Sequence, residues 1–385
     1  MLAKMGSPSV VGQFALASAV AAPVFMFTNL QLRALQATDA RSEYSFADYF
    51  TLRFVSTAIG LLAIGILVLG VSYDFRTRVV ISLVAASKAV ECFGDVIAGL
   101  LQKVERLDVV SVGLMIRGLL SVFAFGLAFM CFGSLVMACA AMAVVWLAVL
   151  LLYDVRWAAL TIGPRAHFLG VDWGRLKRLF MVSLPLGIVM TMISLNINIP
   201  RYVLQHYLGS ADLGIFASLA SVVVIVNLVV NALGQSATTR LSRMFADGEF
   251  HDFRLLVGKL AALGALLIVI GVPLAVYLGR PTLTFLYRPE YGDHVSLLAL
   301  MVATSGFNAV GSFLGYGMTA ARRFRAQVPV IIVSTLTAAI GSILLVPQHG
   351  LIGAAVALLV SAVALVLGYA VALSSALKAA AKGDQ

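Results

Sequence analysis

Eleven predominantly apolar stretches of roughly twenty residues, each long enough to cross a hydrocarbon layer of about 30 Å as a helix, occupy most of this 385-residue chain. They lie near Val10 to Leu32, Phe54 to Val71, Val79 to Leu101, Val109 to Met130, Ser134 to Leu152, Phe180 to Pro200, Leu213 to Gln235, Leu256 to Leu278, Val295 to Met318, Ala326 to Val346 and Leu351 to Leu373. Unpaired backbone groups are too costly in hydrocarbon, and the runs are too long and too uniformly apolar for barrel strands, so the spacing predicts helices. With 61% hydrophobic and 11% charged residues and a mean hydropathy of +1.02, the chain carries more apolar surface than a water-soluble core would bury. The expected fold is an all-α polytopic membrane protein.

A net charge of +10 and a pI near 9.7 invite a nucleic-acid reading until the cations are placed. If the stretch after the first span faces the cytoplasm, eighteen cations fall inside: Arg33, Arg41 and Arg53; Lys103 and Arg106; Arg156, Arg165, Arg175, Lys177 and Arg178; Arg240, Arg243 and Arg254; Arg322, Arg323 and Arg325; Lys378 and Lys382. Six lie on the opposite side (Lys4, Arg76, Arg78, Arg201, Arg280 and Arg288), and Lys88, Arg117 and Lys259 fall within spans. This is the topology bias of inner-membrane proteins, so no nucleic-acid partner is needed, and the carboxyl end is expected in the cytoplasm. Lys4 before an apolar run is also the opening of a signal peptide, but the run continues to Leu32 and reads as an uncleaved helix.

Gly12, Phe14 and Asn29 map onto Gly214, Phe216 and Asn231 at a constant offset of 202, and each copy opens a long apolar span. The retained spacing to an intramembrane Asn points to two homologous halves. The expected organisation is a first bundle over 1–153, a basic connector over 154–179 containing Pro164, and a second bundle with a short cytoplasmic tail over 180–385. The second half has a span, Phe180 to Pro200, whose counterpart would precede Met1; five spans plus six are present where six plus six is natural. The first half is therefore expected to lack one amino-terminal helix.

In the third span Lys88, Glu91 and Asp95 fall at i, i+3 and i+7 on one helix face, and Gln102 extends the stripe by seven residues. Ionisable groups in lipid face a bundle interior or a hydrated cavity, so this stripe is a candidate polar pathway; the plainer reading is a Lys88–Glu91 pair that only fixes helix packing. Arg117, mid-span in the fourth helix, needs water or an acidic partner such as Glu91 or Asp95. Asn196, Asn198, Pro200 and Arg201 close the sixth span, where Pro185 and Pro200 are expected to make the helix irregular; Asn198 and Asn231 serve equally well as interhelical hydrogen-bonding groups.

Cys92, Cys131 and Cys139 fall in or at the edge of spans without metal-ligand spacing and read as structural thiols. His206, His251, His294 and His349 sit in or near loops, and His167 in the connector, as solvated residues do. There is no HExxH, GxSxG, Walker or dinucleotide glycine signature, so neither enzyme chemistry nor a metal or cofactor is expected. Uphill transport would then draw on an ion gradient, with Glu91 and Asp95 as the coupling groups.

Four blocks resemble the bacterial oligosaccharide flippases, the polysaccharide branch of the multidrug, oligosaccharidyl-lipid and polysaccharide exporter superfamily. They are Pro23 to Arg33 with Ala37-Thr38-Asp39-Ala40; Tyr44-Ser45-Phe46 through Tyr49 to Arg53; Lys88 to Asp108 with Gln102 and Glu105-Arg106-Leu107-Asp108; and Leu184-Pro185-Leu186-Gly187 through Asn198-Ile199-Pro200-Arg201-Tyr202 to Leu213-Gly214-Ile215-Phe216. The resemblance implies a two-bundle transporter that moves an undecaprenyl-pyrophosphate-linked oligosaccharide to the periplasmic leaflet by alternating access. Glycosyltransferases would supply the substrate and a polymerase would act next, for O-antigen, lipopolysaccharide or exopolysaccharide assembly. On such cargo Lys88, Arg117 and Arg201 would hold the diphosphate, Asn196, Asn198 and Gln102 would meet sugars, and the tail would stay in membrane lipid. Three other readings stand beside it: a cation-coupled drug antiporter of the same superfamily, a glycan polymerase or ligase, whose active-site loop the short stretch 279–294 does not provide, and a membrane scaffold.

Overall fold

The computed structural model describes residues 2–39, 42–163, 168–170 and 172–383. Ala40, Arg41, Pro164, Arg165 and His167, and the side chain of Lys382, lie outside that description. The chain forms α1 (Leu2–Met5), α2 (Pro8–Asn29), α3 (Leu32–Thr38), α4 (Phe46–Gly70), α5 (Phe75–Lys103), α6 (Leu107–Phe132), α7 (Leu135–Val149), a π-helical turn (Leu150–Asp154), α8 (Val155–Ile162) and α9 (Trp173–Tyr207). It continues through α10 (Ser210–Val222), α11 (Val224–Ala246), α12 (Phe250–Leu286), a 3₁₀ turn (Pro289–Asp293), α13 (Val295–Ala320) and α14 (Phe324–Gly383). No strand occurs among the described residues.

The expected apolar stretches are largely helical, with breaks at Leu30–Gln31 in the first and at Val223 in the seventh. Among the described residues, eight helices are long and apolar enough to cross a membrane, or nine with α10 and α11 taken as one bent span. In α5 the apolar run is interrupted by Lys88, Glu91 and Asp95. The 60 residues of α14 would reach about 90 Å if straight. They are divided at Gly350, whose φ of 56° and ψ of −131° break the helix, as glycine readily does. The two arms fold back on each other: Ser334 meets Ser361, a Cβ on Gly341 would lie 3.1 Å from the Ala357 Cβ, and Val330 reaches Gly368. Small residues at this seam let the backbones approach, which is how helices associate when lipid offers no hydrophobic contrast.

Two compact units are present, one of residues 2–5 and Gln13–Ser194, the other of Gly6–Gly12 and Leu195 onward. In the first, α5 packs against α3, α4 and α7, and α6 against α7. Leu30, Leu32, Tyr49, Leu52, Val96, Leu176 and Leu179 form one buried cluster there. Phe46, Phe50, Phe93 and Phe168 add ring contacts at 5.5–5.7 Å. In the second unit α13 is central, contacting α10, α11, α12 and α14. Within that unit α2 begins by crossing α10 so closely that a Cβ on Gly12 would strike the Ser210 carbonyl and one on Gly214 the Pro8 carbonyl. These two contacts are images of each other at the offset of 202 read from the sequence.

Three local expectations are corrected. α4 starts at Phe46 rather than near Phe54, because Ser45 and Asp48 form a reciprocal capping box that satisfies the first turn. α9 runs unbroken through Pro185 and Pro200, since a proline removes one ladder bond and the neighbouring turns hold the helix in apolar surroundings. The expected span from Leu213 to Gln235 is instead interrupted at Val223, where α10 and α11 meet at 42°.

Candidate functional site

The first unit concentrates charge. α2 ends in two consecutive left-handed residues, Leu30 (φ 51°) and Gln31 (φ 52°), a conformation of order 1–3 kcal/mol above the helical one for a side-chain-bearing residue. Burial of Leu30 at the centre of the apolar cluster holds the link in place. The link sets Asn29, at the end of α2, and Arg33, in the first turn of α3, against α5. Gly99 permits the approach of α3, since a Cβ there would sit 2.6 Å from Gln36 Oε1.

Asp95 on α5 is the focus. Arg33 Nη1 stands 3.5 Å from Asp95 Oδ1 and Arg53 Nη2 3.7 Å from Oδ2. Asn29 donates to Asp95 Oδ2 at 3.4 Å and its own Oδ1 accepts from Arg53 at 3.4 Å. Arg33 Nε donates to Gln102 Oε1 at 3.2 Å, and Arg53 Nη1 to the Thr28 carbonyl at 3.4 Å. Two guanidinium groups thus share one carboxylate, leaving one unit of positive charge. The side chain of Arg53 is 0% exposed, whereas Arg33 is 32% and Asp95 23% exposed, so Arg33 and Asp95 are the accessible members.

The remaining predicted site residues are distributed elsewhere. Lys88 and Glu91 pair at 2.6 Å, with side chains 38% and 43% exposed, and contribute no net charge. Arg117 is bonded to Asp154, not to Glu91 or Asp95. The π-helical turn inserts one residue into the α7–α8 helix and brings Asp154 to α6, and Gly94 makes room for the pair, a Cβ there lying 2.6 Å from Arg117 Nη2. The Trp146 ring faces both Lys88 and Arg117, at 5.7 and 5.8 Å, and donates to Ser121 Oγ at 2.6 Å.

In the second unit Asn196 donates to Ser334 Oγ at 3.2 Å and Ser361 Oγ at 3.0 Å, tying α9 to both arms of α14. Asn231 accepts from Tyr316 at 3.2 Å. Arg201 donates to Asn198 at 3.3 Å, its Nε has no hydrogen-bond partner, and among the described residues no carboxylate pairs with it. Cys92 and Cys139 are buried, Cys131 is exposed, and all three are free.

Outside the spans Asp39 binds Lys103 at 3.7 Å and accepts from the Glu43 and Tyr44 N–H groups. Burial raises this carboxyl, but those two N–H groups and the Lys103 ammonium outweigh it and hold it below its ordinary value.

Arg33 and Arg53 were legible as topology cations and as the ends of two resembling blocks, but not as members of a site. The missed signal was the Ser45-Phe46-Ala47-Asp48 cap, which moves the start of α4 back and places Arg53 two turns inside it.

A multi-pass α-helical membrane protein with a cationic, partly exposed cluster in one bundle is what these features define. No protein-family model matches the chain. The capsular polysaccharide biosynthesis protein CapF of Staphylococcus aureus is 27% identical over 371 residues, spanning 96% of this chain and 92% of that protein. Among solved structures, the inward-facing conformation of a multidrug resistance MATE family transporter of the MOP superfamily aligns with a TM-score of 0.73 at 14% identity, over 96% of this chain and 89% of the other. The lipid II flippase MurJ, inward closed, aligns at 0.69 and 13% identity, over 95% and 86%. A MOP superfamily transporter from Pyrococcus furiosus aligns at 0.59 and 16%, over 96% and 88%. The chain shares the fold of these solved transporters, the all-α polytopic fold that the sequence predicts.

Proposed function

We propose that this protein is a flippase that carries an undecaprenyl-diphosphate-linked oligosaccharide from the cytoplasmic to the periplasmic leaflet of a bacterial inner membrane by alternating access. Glycosyltransferases would supply the cargo and a polymerase would take it up for surface polysaccharide. The observation that carries the reading is the Arg33–Arg53–Asp95 cluster: two guanidinium groups on one carboxylate among apolar helices form a place for an anion. The likeness to CapF supports a glycan rather than a drug as cargo.

In this reading Arg33 meets the diphosphate, with which a planar guanidinium makes paired charge-assisted hydrogen bonds. Arg53 stays buried and fixes Asp95 and Asn29. Gln102, which orients Arg33, stands beside the first sugars. The prenyl tail remains in lipid. Arg201, with which no carboxylate pairs among the described residues, is a separate cation of the second unit, with Asn198 beside it. Arg117 is engaged by Asp154 and Lys88 by Glu91, so both act as braces, and Asn196 serves packing. Both carboxylates expected to couple an ion gradient are ion-paired, Glu91 with Lys88 and Asp95 with the two arginines, so a coupling proton or cation would have to compete with those pairs at either one.

A strain lacking this protein is expected to accumulate lipid-linked oligosaccharide in the cytoplasmic leaflet and to lose surface glycan; the wild-type chain restores export and Arg33→Gln does not. Unchanged glycan export in the deletion strain would overturn the proposal. The MATE alignment favours drug antiport as a second reading, which predicts altered drug susceptibility with normal glycan export.

A further inference from the structure

At one edge of the second unit α12 begins, α13 ends and the second arm of α14 ends. Gly317 lets the outer two helices close on α13, since a Cβ there would lie 3.2 Å from Val257 Cγ2 and 3.4 Å from Leu373 Cδ2. Beside this seam the three helices leave a cavity of about 430 Å³, walled by Val257, Gly258, Leu314, Leu373 and Leu377 and bordered by Arg254 and Lys378. Helical spacing gathers these groups: Arg254 and Gly258 stand at i and i+4 on α12, as Leu373 and Leu377 do on α14, with Lys378 next in line. The walls are apolar and the rim is doubly cationic.

Both cations are exposed, and among the described residues no carboxylate pairs with either. Asp252 is the acid nearest Arg254 along the chain, but residues two apart do not share a helix face, and Asp252 does not line the cavity. The topology bias accounts for cations on this edge of the unit. It does not account for two of them bordering the same apolar groove. We propose that the groove is a binding site for an anionic phospholipid of the leaflet at that edge, with its phosphate held by Arg254 and Lys378 and the upper part of one acyl chain laid against the apolar walls. Basic pockets between membrane helices take such headgroups, and each cation near the membrane surface contributes about fivefold in affinity. Arg254 supplies paired hydrogen bonds to phosphate oxygens, and Lys378 a point charge. A zwitterionic phospholipid offers the same tails and phosphate but brings its own cation to the rim, so it gains less. The bound lipid ties the start of α12 to the end of α14.

The test is titration of the full chain in detergent micelles with phosphatidylglycerol and phosphatidylcholine of matched acyl chains, the first bound lipid being followed by native mass spectrometry. The wild type is expected to prefer phosphatidylglycerol by about tenfold or more, and Arg254→Gln and Lys378→Gln each to lose about fivefold of affinity for it with phosphatidylcholine binding unchanged. Neither substitution strands a paired carboxylate, so both variants are expected to fold. Gly258→Leu adds a side chain where a Cβ meets no atom within 4 Å, and by filling the groove it is expected to weaken both lipids. Arg280→Gln, on the opposite edge, where Arg280 pairs with Asp293, is the control and is expected to change nothing. An unchanged preference in Arg254→Gln/Lys378→Gln, or an equal loss in Arg280→Gln, would overturn the site and leave only diffuse attraction to a charged edge. Undiminished binding in Gly258→Leu would overturn the groove as the seat of the chain. Displacement of phosphatidylglycerol by farnesyl diphosphate at lower concentration would make the groove a cargo site and overturn the proposal as well.

Discussion

The two units solve the problem of polar groups in lipid differently. In the first, Arg33 and Arg53 share Asp95, Lys88 pairs with Glu91, and Arg117 pairs with Asp154. In the second, neutral groups do the equivalent work: Asn196, Ser334 and Ser361 form a closed amide–hydroxyl network, and Asn231 accepts from Tyr316. A neutral network fixes helices with modest loss if one member is removed, whereas a buried ion pair leaves an uncompensated charge. The first unit thus gathers ion-paired charge, and the second relies mainly on neutral networks, with Arg201 bonded to Asn198 as its buried cation.

The sharpest way to break this contrast is at Arg117. Arg117→Met should destabilise the protein by about 3–5 kcal/mol by stranding Asp154, and the double variant Arg117→Met/Asp154→Leu should recover most of it, as buried pairs replaced by apolar residues do. Thermal unfolding in detergent checks both. Next in size, Gly12→Ala and Gly214→Ala should each lose about 1–3 kcal/mol through overpacking at the α2–α10 crossing. The reciprocal contact requires the two losses to match within about 0.5 kcal/mol; a harmless Gly214→Ala would contradict the reciprocity.

How much of this was legible follows from the same contrast. Apolar length announced the helices, and even the α14 hairpin was written as two runs separated by Pro347 to Gly350. The α5 stripe was readable because helical spacing alone puts Lys88, Glu91, Asp95 and Gln102 on one face. Pairings between helices were not: the partner of Arg117 depends on a π-turn that shifts Asp154 by one residue, and no periodicity encodes it. Arg33 and Arg53 looked like loop cations because they flank a short polar segment. Only the left-handed link at Leu30–Gln31 and the cap at Ser45 turn both toward Asp95.

Smaller effects sharpen the contrast from the neutral side. Asn196→Leu should lose about 0.6–1.7 kcal/mol, the range for interhelical hydrogen bonds in membranes, with glycan export retained. Lost export at normal protein abundance would give the second unit a larger chemical role. The smallest effect is acidic. Because the Asp39 carboxyl is held below its ordinary value of 3.8, its contribution is complete above that pH and disappears as the pH falls through the depressed value. Asp39→Asn should therefore flatten the acid limb of a stability–pH profile below about pH 4 and lower stability at neutral pH. An unaltered limb would show that the Glu43 and Tyr44 N–H groups and Lys103 do not hold the Asp39 carboxyl down.

The central claim, that Arg33 receives an anionic headgroup in the first unit, is tested most directly by translocation in proteoliposomes. A diphosphate-linked glycolipid placed in one leaflet is followed by its accessibility to an impermeant glycosidase. The wild type is predicted to move it and Arg33→Gln to fail while remaining folded; equal translocation by Arg33→Gln and the wild type would contradict the account.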